Sequence, residues 1–236
     1  MAFTKRTDKR KMDEMRPIEA EVGVIKNAVG SARFKMGNTE AIAAVYGPRE
    51  LHPRNKQRAG TGVLRVNYDL LSFSVDDRKR PGPSRRSQEI SKVTEWALLP
   101  AVDIKEFPNT VVDVQIYILQ ADASTRVAGI NAASMALAHA GIPMKDMVSS
   151  IAVGLVDDKV VADLDYMEEH IEEFNEDSKD APVSDIPVAM IHGTKEITLL
   201  QMDGKIGKED LIKSLELAKV AADKVYEVQK NALVAA

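Results

Sequence analysis

The chain has 236 residues, 44% of them hydrophobic, and a formal net charge of −4 at pH 7, enough apolar material for one large domain or two packed halves. It has no cysteine, which excludes disulfides, thiolate metal sites and a cysteine nucleophile, and its histidines (His52, His139, His170, His192) show no metal-ligand spacing. No apolar run approaches the roughly 20 residues of a membrane span, and the opening MAFTKRTDKRKMDEMRP lacks the apolar core of a secretory signal, so a cytoplasmic protein without membrane contact is expected.

Residues 1–16 are basic and polar and read as an arm, mobile or docked on a partner, that adds nothing to the core. From Ile18 onward, EAEVGVIKNAV, SARFKMG, EAIAAVY and VLRVNYDLL read as strands separated by glycine-bearing turns, the signature of an antiparallel sheet. The interval GPRELHPRNKQRAGTG, from Gly47 to Gly62, has no apolar periodicity and predicts a long exposed loop. A second loop, VDDRKRPGPSRR, follows the next strand. Between Arg49 and Arg86 ten basic residues face four acidic ones, a net of +6, which suits a polyanionic partner in a chain that is acidic as a whole.

Ser87 is the expected start of a helix with Ile90, Val93, Thr94, Ala97, Leu98 and Ala101 on one face and Trp96 packed beside it, ended by Pro100. Arg85 and Arg86 precede it, where the helix dipole disfavours cations unless an anion lies between them. TVVDVQIYILQ is a strand that runs into the small polar turn Ala123, Ser124, Thr125, Arg126 and then a helix with Ile130, Ala133 and Leu137 on its apolar face, closed by Gly141 and Pro143. The free N–H groups of its first turn, two hydroxyls and a guanidinium make that junction an oxyanion seat as well as a cap. Strands follow at SSIAVGLV, KVVADLDY, DIPVAMI and EITLLQMDG, then a long helix from about Lys208 to Ala232. From Asp157 to Asp185 twelve acidic residues face two lysines, a net of −10; such a stretch can hold a metal ion or protons. Sheet then helix occurs twice, which predicts an α+β protein of two similar halves, 17–142 and 143–236, with the site at their seam.

The pieces RPGPSRRSQEISKV, LQADASTRVAGINAASMALAHAGIPM, VADLDY and SDIPVAM, in this order, resemble the ribonuclease PH family, and with YGPRELHPR they are most similar to the branch that forms the catalytic ring subunit of the archaeal exosome. The resemblance implies the ribonuclease PH fold and a phosphorolytic 3′-to-5′ exoribonuclease, in which inorganic phosphate attacks the last phosphodiester of an RNA and releases a nucleoside diphosphate. It assigns phosphate binding to Arg86, Ser124, Thr125 and Arg126, with Ser124 where the family often has glycine. It assigns contacts to single-stranded RNA 3′ ends to His52, Arg54 and Arg85. Two aspartates six apart are implied for catalysis and for Mg²⁺ or Mn²⁺. Asp185 fits the second; six residues earlier stands Lys179, and Asp180, Asp177 and Glu169 remain candidates for the first, with Asp180 favoured. The implied partners are an inactive paralogue alternating with this chain in a hexameric ring, and capping RNA-binding subunits. Two other readings share the resemblance: a non-catalytic RNA-binding ring subunit, and a homohexameric enzyme that trims transfer-RNA 3′ ends.

Overall fold

In the computed structural model, residues 6–170 and 183–235 are described. The first sheet has five strands, β1 (Ile18–Val22), β2 (Gly30–Met36), β3 (Thr39–Glu50), β4 (Val63–Leu70) and β5 (Thr110–Gln120), in the order β1-β2-β3-β5-β4. The second has four, β6 (Val148–Val156), β7 (Lys159–Ala162), β8 (Val183–Ile191) and β9 (Ile197–Leu200), in the order β7-β6-β8-β9. The helices are α1 (Arg85–Leu98), α2 (Thr125–His139), the single turn α3 (Tyr166–Glu169) and α4 (Lys208–Val234). The mixed α and β architecture of two sheets with helices is the one expected.

Three local expectations need correction. The first sheet is mixed, because β4 pairs parallel with β5 while the other neighbours pair antiparallel; the chain leaves β4, passes through α1 and returns alongside, and such a crossover is the connection parallel strands require. Helix α1 begins two residues before Ser87, since Ser84 is its N-cap: the Ser84 hydroxyl accepts from the Ser87 N–H at 3.0 Å and the Ser87 hydroxyl accepts from the Ser84 N–H at 2.7 Å. This reciprocal cap satisfies two otherwise orphaned donors and puts Arg85 and Arg86 inside the first turn. Trp96 is exposed rather than packed, with Lys92 Nζ 5.3 Å from its ring centre.

Helix α2 packs against β2, β3 and β5 of the first sheet and against β6 and β8 of the second. Accordingly Thr125 and every residue from Val127 to Leu137 are buried, where a single apolar face was expected; a helix enclosed on all sides carries no polar stripe. Its Gly, Ala and Ser residues allow close approach. At Gly30 of β2 a Cβ would lie 2.4 Å from the Ala136 carbonyl oxygen. The buried polar groups of α2 are paired: Asn131 donates to the Ser150 carbonyl at 2.9 Å and accepts from the Ser150 N–H at 2.8 Å and from Gln229 of α4 at 3.1 Å. One apolar cluster runs through both sheets around this helix.

The basic arm also differs from expectation. Arg6 and Arg16 are buried, Met12 packs against Val156, Val161 and Leu164, and the Met12 carbonyl accepts from Ala162 N–H at 2.8 Å, which lays the arm along β7.

Candidate active site

A cleft of about 880 Å³ opens where the N-termini of α1 and α2 meet the second sheet; its lining includes Ser84, Arg86, Ser124, Thr125, Arg126, Glu169, His170 and Asp185. The cationic wall comes from the first sheet and its helices. β5 ends at Gln120, and the chain turns through Ala123 (φ 57°) and Ser124 (φ 53°) into α2. Two successive residues in the left-handed region make the turn a tight one, and this conformation explains why glycine would suit the position of Ser124. Ser124 occupies the N-cap position, yet its side chain makes no cap hydrogen bond. The expectation of a hydroxyl cap is therefore wrong in detail: the Ser124 Oγ is buried and without a hydrogen-bond partner among the described residues. Thr39 fastens the base of the turn, its hydroxyl meeting the Asp122 and Ala123 carbonyls at 2.6 and 2.7 Å.

Arg126, half-buried in the first turn of α2, donates to Gln201 and lies 3.8 Å from Glu89 of α1. Gln201 in turn donates to Glu89 at 3.1 Å. The guanidinium is thus held by groups from α1 and from the end of β9. Beneath it, Tyr68 of β4 has its hydroxyl buried; burial pushes the phenol up to about 12 against the opposing influence of Thr125, Arg86 and Arg126.

The acidic wall comes from the second sheet. Asp185 lies on β8, in a double backbone pairing with Asp203 (both N–H to O distances 2.9 Å), and its Oδ1 is buried without a hydrogen-bond partner among the described residues. Burial pushes its carboxyl up to about 6; the Arg126 charge opposes this and Asp203 adds to it. Glu169 ends α3. Burial, then the Asp185 charge, push it up to about 7, while Arg16, a backbone hydrogen bond from Ser124 and Arg86 pull the other way. Two desolvated carboxyl groups that feel each other, facing arginines across a cleft, form the kind of perturbed cluster that marks proton chemistry.

Residues 14–143 match the 3′ exoribonuclease family, domain 1, and residues 146–221 match domain 2 of the same family. The chain belongs to the 3′ exoribonuclease family, RNase PH. It is 51% identical over 229 residues to the exosome complex component Rrp41 of Thermococcus gammatolerans, covering 97% of this chain and 88% of that one. To Rrp41 of Methanopyrus kandleri it is 48% identical over 228 residues, covering 97% and 91%. Its fold is similar to that of rice (Oryza sativa) Rrp46, with TM-score 0.83 and 22% identity over 97% of this chain and all (100%) of that one. It is similar, too, to a chain of the Archaeoglobus fulgidus exosome with RNA bound to the active site, with TM-score 0.77 and 23% identity over 94% and 92%.

Within this RNase PH fold, Arg86, Ser124, Thr125, Arg126 and Asp185 converge on the one cleft. His52, Arg54 and Arg85 are exposed and are not among its lining; His52 and Arg54 lie 3.7 and 3.6 Å from Glu50. Asp177 and Asp180 lie outside the described residues. Of the three candidates to accompany Asp185, Glu169 is the one whose surroundings are described, and it stands in the electrostatic field of Asp185. Its signal in the sequence was its place in the acidic stretch between Asp157 and Asp185. Asp203, Tyr68 and Arg16 carried no such signal, because each reaches the site through tertiary contacts.

Proposed function

We propose that this chain is the phosphorolytic 3′-to-5′ exoribonuclease subunit of an archaeal exosome, using inorganic phosphate to release nucleoside diphosphates from RNA 3′ ends. The observation that carries the assignment of roles is the single cleft with the Ser124 turn, Arg86 and Arg126 on one wall and Glu169 with Asp185 on the other. Phosphoryl transfer gives a protein little covalent work, so catalysis rests on positioning and charge stabilisation. The Thr125 amide, the Ser124 hydroxyl and the two arginines seat the attacking phosphate. Its oxygen bonds to the phosphorus of the terminal nucleotide as the bond to the 3′ oxygen of the preceding ribose breaks. That oxygen takes a proton, and the Glu169–Asp185 pair, with pKa values raised towards neutrality, is suited to supply it. We assign the first acidic role to Glu169; Asp180 remains an alternative for it.

The same two carboxylates offer hard oxygen donors, and the unpartnered Asp185 Oδ1 leaves a lone pair open, so they fit Mg²⁺ or Mn²⁺, which take one or two carboxylates and complete their shell with water and phosphate. A bound ion would neutralise charge on the transferring group. RNA enters without base-edge readout, through its backbone, to which we assign His52, Arg54 and Arg85. The relatives named as exosome components support assembly with other ring subunits and with RNA, for which we propose an alternating hexamer with an inactive paralogue and capping RNA-binding subunits.

The test is to supply the complex with RNA, a divalent ion and phosphate: nucleoside diphosphates are the expected products. Monophosphates formed in the absence of phosphate would overturn a phosphorolytic mechanism. Lys179 in the position six before Asp185, where the family pattern has aspartate, favours one second reading, a non-catalytic ring subunit. That reading predicts full activity of the assembled particle when Asp185→Ala is introduced, whereas ours predicts its loss.

A further inference from the structure

The N-terminal arm supplies buried arginines to both walls of the cleft. The Arg6 guanidinium is wholly buried and ties the arm to the segment before Glu169: Nε and Nη2 donate to the two Glu168 carboxylate oxygens at 2.8 and 2.7 Å, Nη2 also to the Asp163 carbonyl at 2.6 Å, and Nη1 to the Ala162 carbonyl at 2.8 Å and, within the arm, to the Glu14 and Lys11 carbonyls at 2.9 and 3.4 Å. Glu168 is at the same time locked into a reciprocal cap with Asp165, accepting from the Asp165 N–H at 3.1 Å while donating its own N–H to Asp165 Oδ1 at 2.8 Å. With Glu168 clamped from both sides, the next residue in the same turn, Glu169, lines the cleft.

Arg16 spans the two walls. Its Nε and Nη2 grip the buried Asp163 carboxylate at 2.9 and 2.6 Å, its backbone N–H donates to the same carboxylate at 2.7 Å, and its Nη1 donates to the Asp122 carbonyl at 2.5 Å. Asp122 opens the turn that ends in Ser124, and Asp163, held at φ 54°, opens the segment that ends in Glu169. Buried ion pairs of this kind add little net stability, since desolvation offsets most of their attraction; what they can supply is a unique geometry.

We propose that the arm is part of the catalytic apparatus: Arg6 and Arg16 are positioning residues that set the separation between the Ser124 phosphate seat and Glu169, a role that rests on the assignment of Glu169 above. A displacement of about 1 Å between reacting groups costs on the order of a hundredfold in rate. Steady-state phosphorolysis by the reconstituted complex tests this with Arg6→Ala, Arg6→Lys and Glu168→Gln, each with its Tm measured alongside, because breaking one side of a buried pair also costs stability. The expected result is a fall in kcat of roughly tenfold to a hundredfold, with KM for phosphate and affinity for RNA within about twofold of the parent, and with Arg6→Lys recovering part of what Arg6→Ala loses. An unchanged kcat in all three variants while Glu169→Ala is inactive overturns the brace and leaves the Glu169 assignment standing. A fully active Glu169→Ala overturns that assignment and the brace with it. A loss seen in KM alone, or in proportion to a fall in Tm, assigns the arm a purely structural role and likewise overturns the proposal.

Discussion

Glu169 and Asp185 carry two consequences that can be measured residue by residue. Both have folded-state pKa values raised, to about 7 and about 6, chiefly by burial. In metal-free buffer the folded protein therefore keeps protons that the unfolded chain has already released, so their contribution to stability is complete below about pH 4 and is lost as pH rises through roughly 6 to 7. Thermal melts in EDTA should show the Tm of the wild type declining across this window more steeply than that of Glu169→Gln, where the titrating group is gone; parallel profiles would contradict the shift. On the opposite wall, Arg126 in the first turn of α2 is fixed from two elements, through Gln201 and Glu89. Arg126→Ala is expected to lower kcat/KM for phosphorolysis by at least about a hundredfold, the scale on which a preorganised transition-state donor acts. Retention of full activity would remove the seat from this helix.

At the scale of elements, the cationic wall of the cleft depends on how two helices begin. The capping box of α1 places Arg86 in the first turn instead of ahead of it, and the box lies in the sequence Ser84-x-x-Ser87 where serine replaces the usual Glu or Gln. Ser84→Ala should destabilise the protein by about 1 kcal/mol and, by loosening the turn that bears Arg86, raise KM for phosphate; denaturant unfolding and initial rates measure the two effects separately. Helix α2 begins without a side-chain cap, and its Ser124 hydroxyl stands without a hydrogen-bond partner among the described residues, open to the anion proposed to bind there. The periodicity of Ile130, Ala133 and Leu137 identified the helix, but its small residues read equally well as a one-sided face. Which residues were enclosed was decided by two sheets closing on it. Gly30→Ala should test that closeness: the new methyl would meet the backbone of α2, so a loss of about 1–3 kcal/mol is expected from overpacking.

In the whole molecule the two sheets share α2, and the Asn131 side chain joins it to β6 and α4. The halves should therefore unfold together: Trp96 fluorescence from α1 and far-UV circular dichroism are expected to trace one coincident transition, and Asn131→Ala should lower its midpoint by leaving buried partners unsatisfied, at roughly 1–3 kcal/mol. Two separated transitions would show that the halves are independent. Much of this architecture was legible in the chain. Strand positions, the long final helix and the turn from β5 into α2 could be read from periodicity and turn chemistry, because each depends on residues adjacent in sequence, and Asp185 was marked by the family resemblance of SDIPVAM. Parallel pairing of β4 and β5, the exposure of Trp96 and the burial of Arg6 and Arg16 could not, because each depends on which distant surface arrives alongside. So it is with the acid paired with Asp185. The local sequence determined that carboxylates would be plentiful between Asp157 and Asp185; only the tertiary structure decided which of the described ones face the cleft, by pairing the buried Asp163 and Glu168 with Arg16 and Arg6 and setting Glu169 near Arg16, Ser124 and Asp185, since desolvation and nearby charge are properties of position in space.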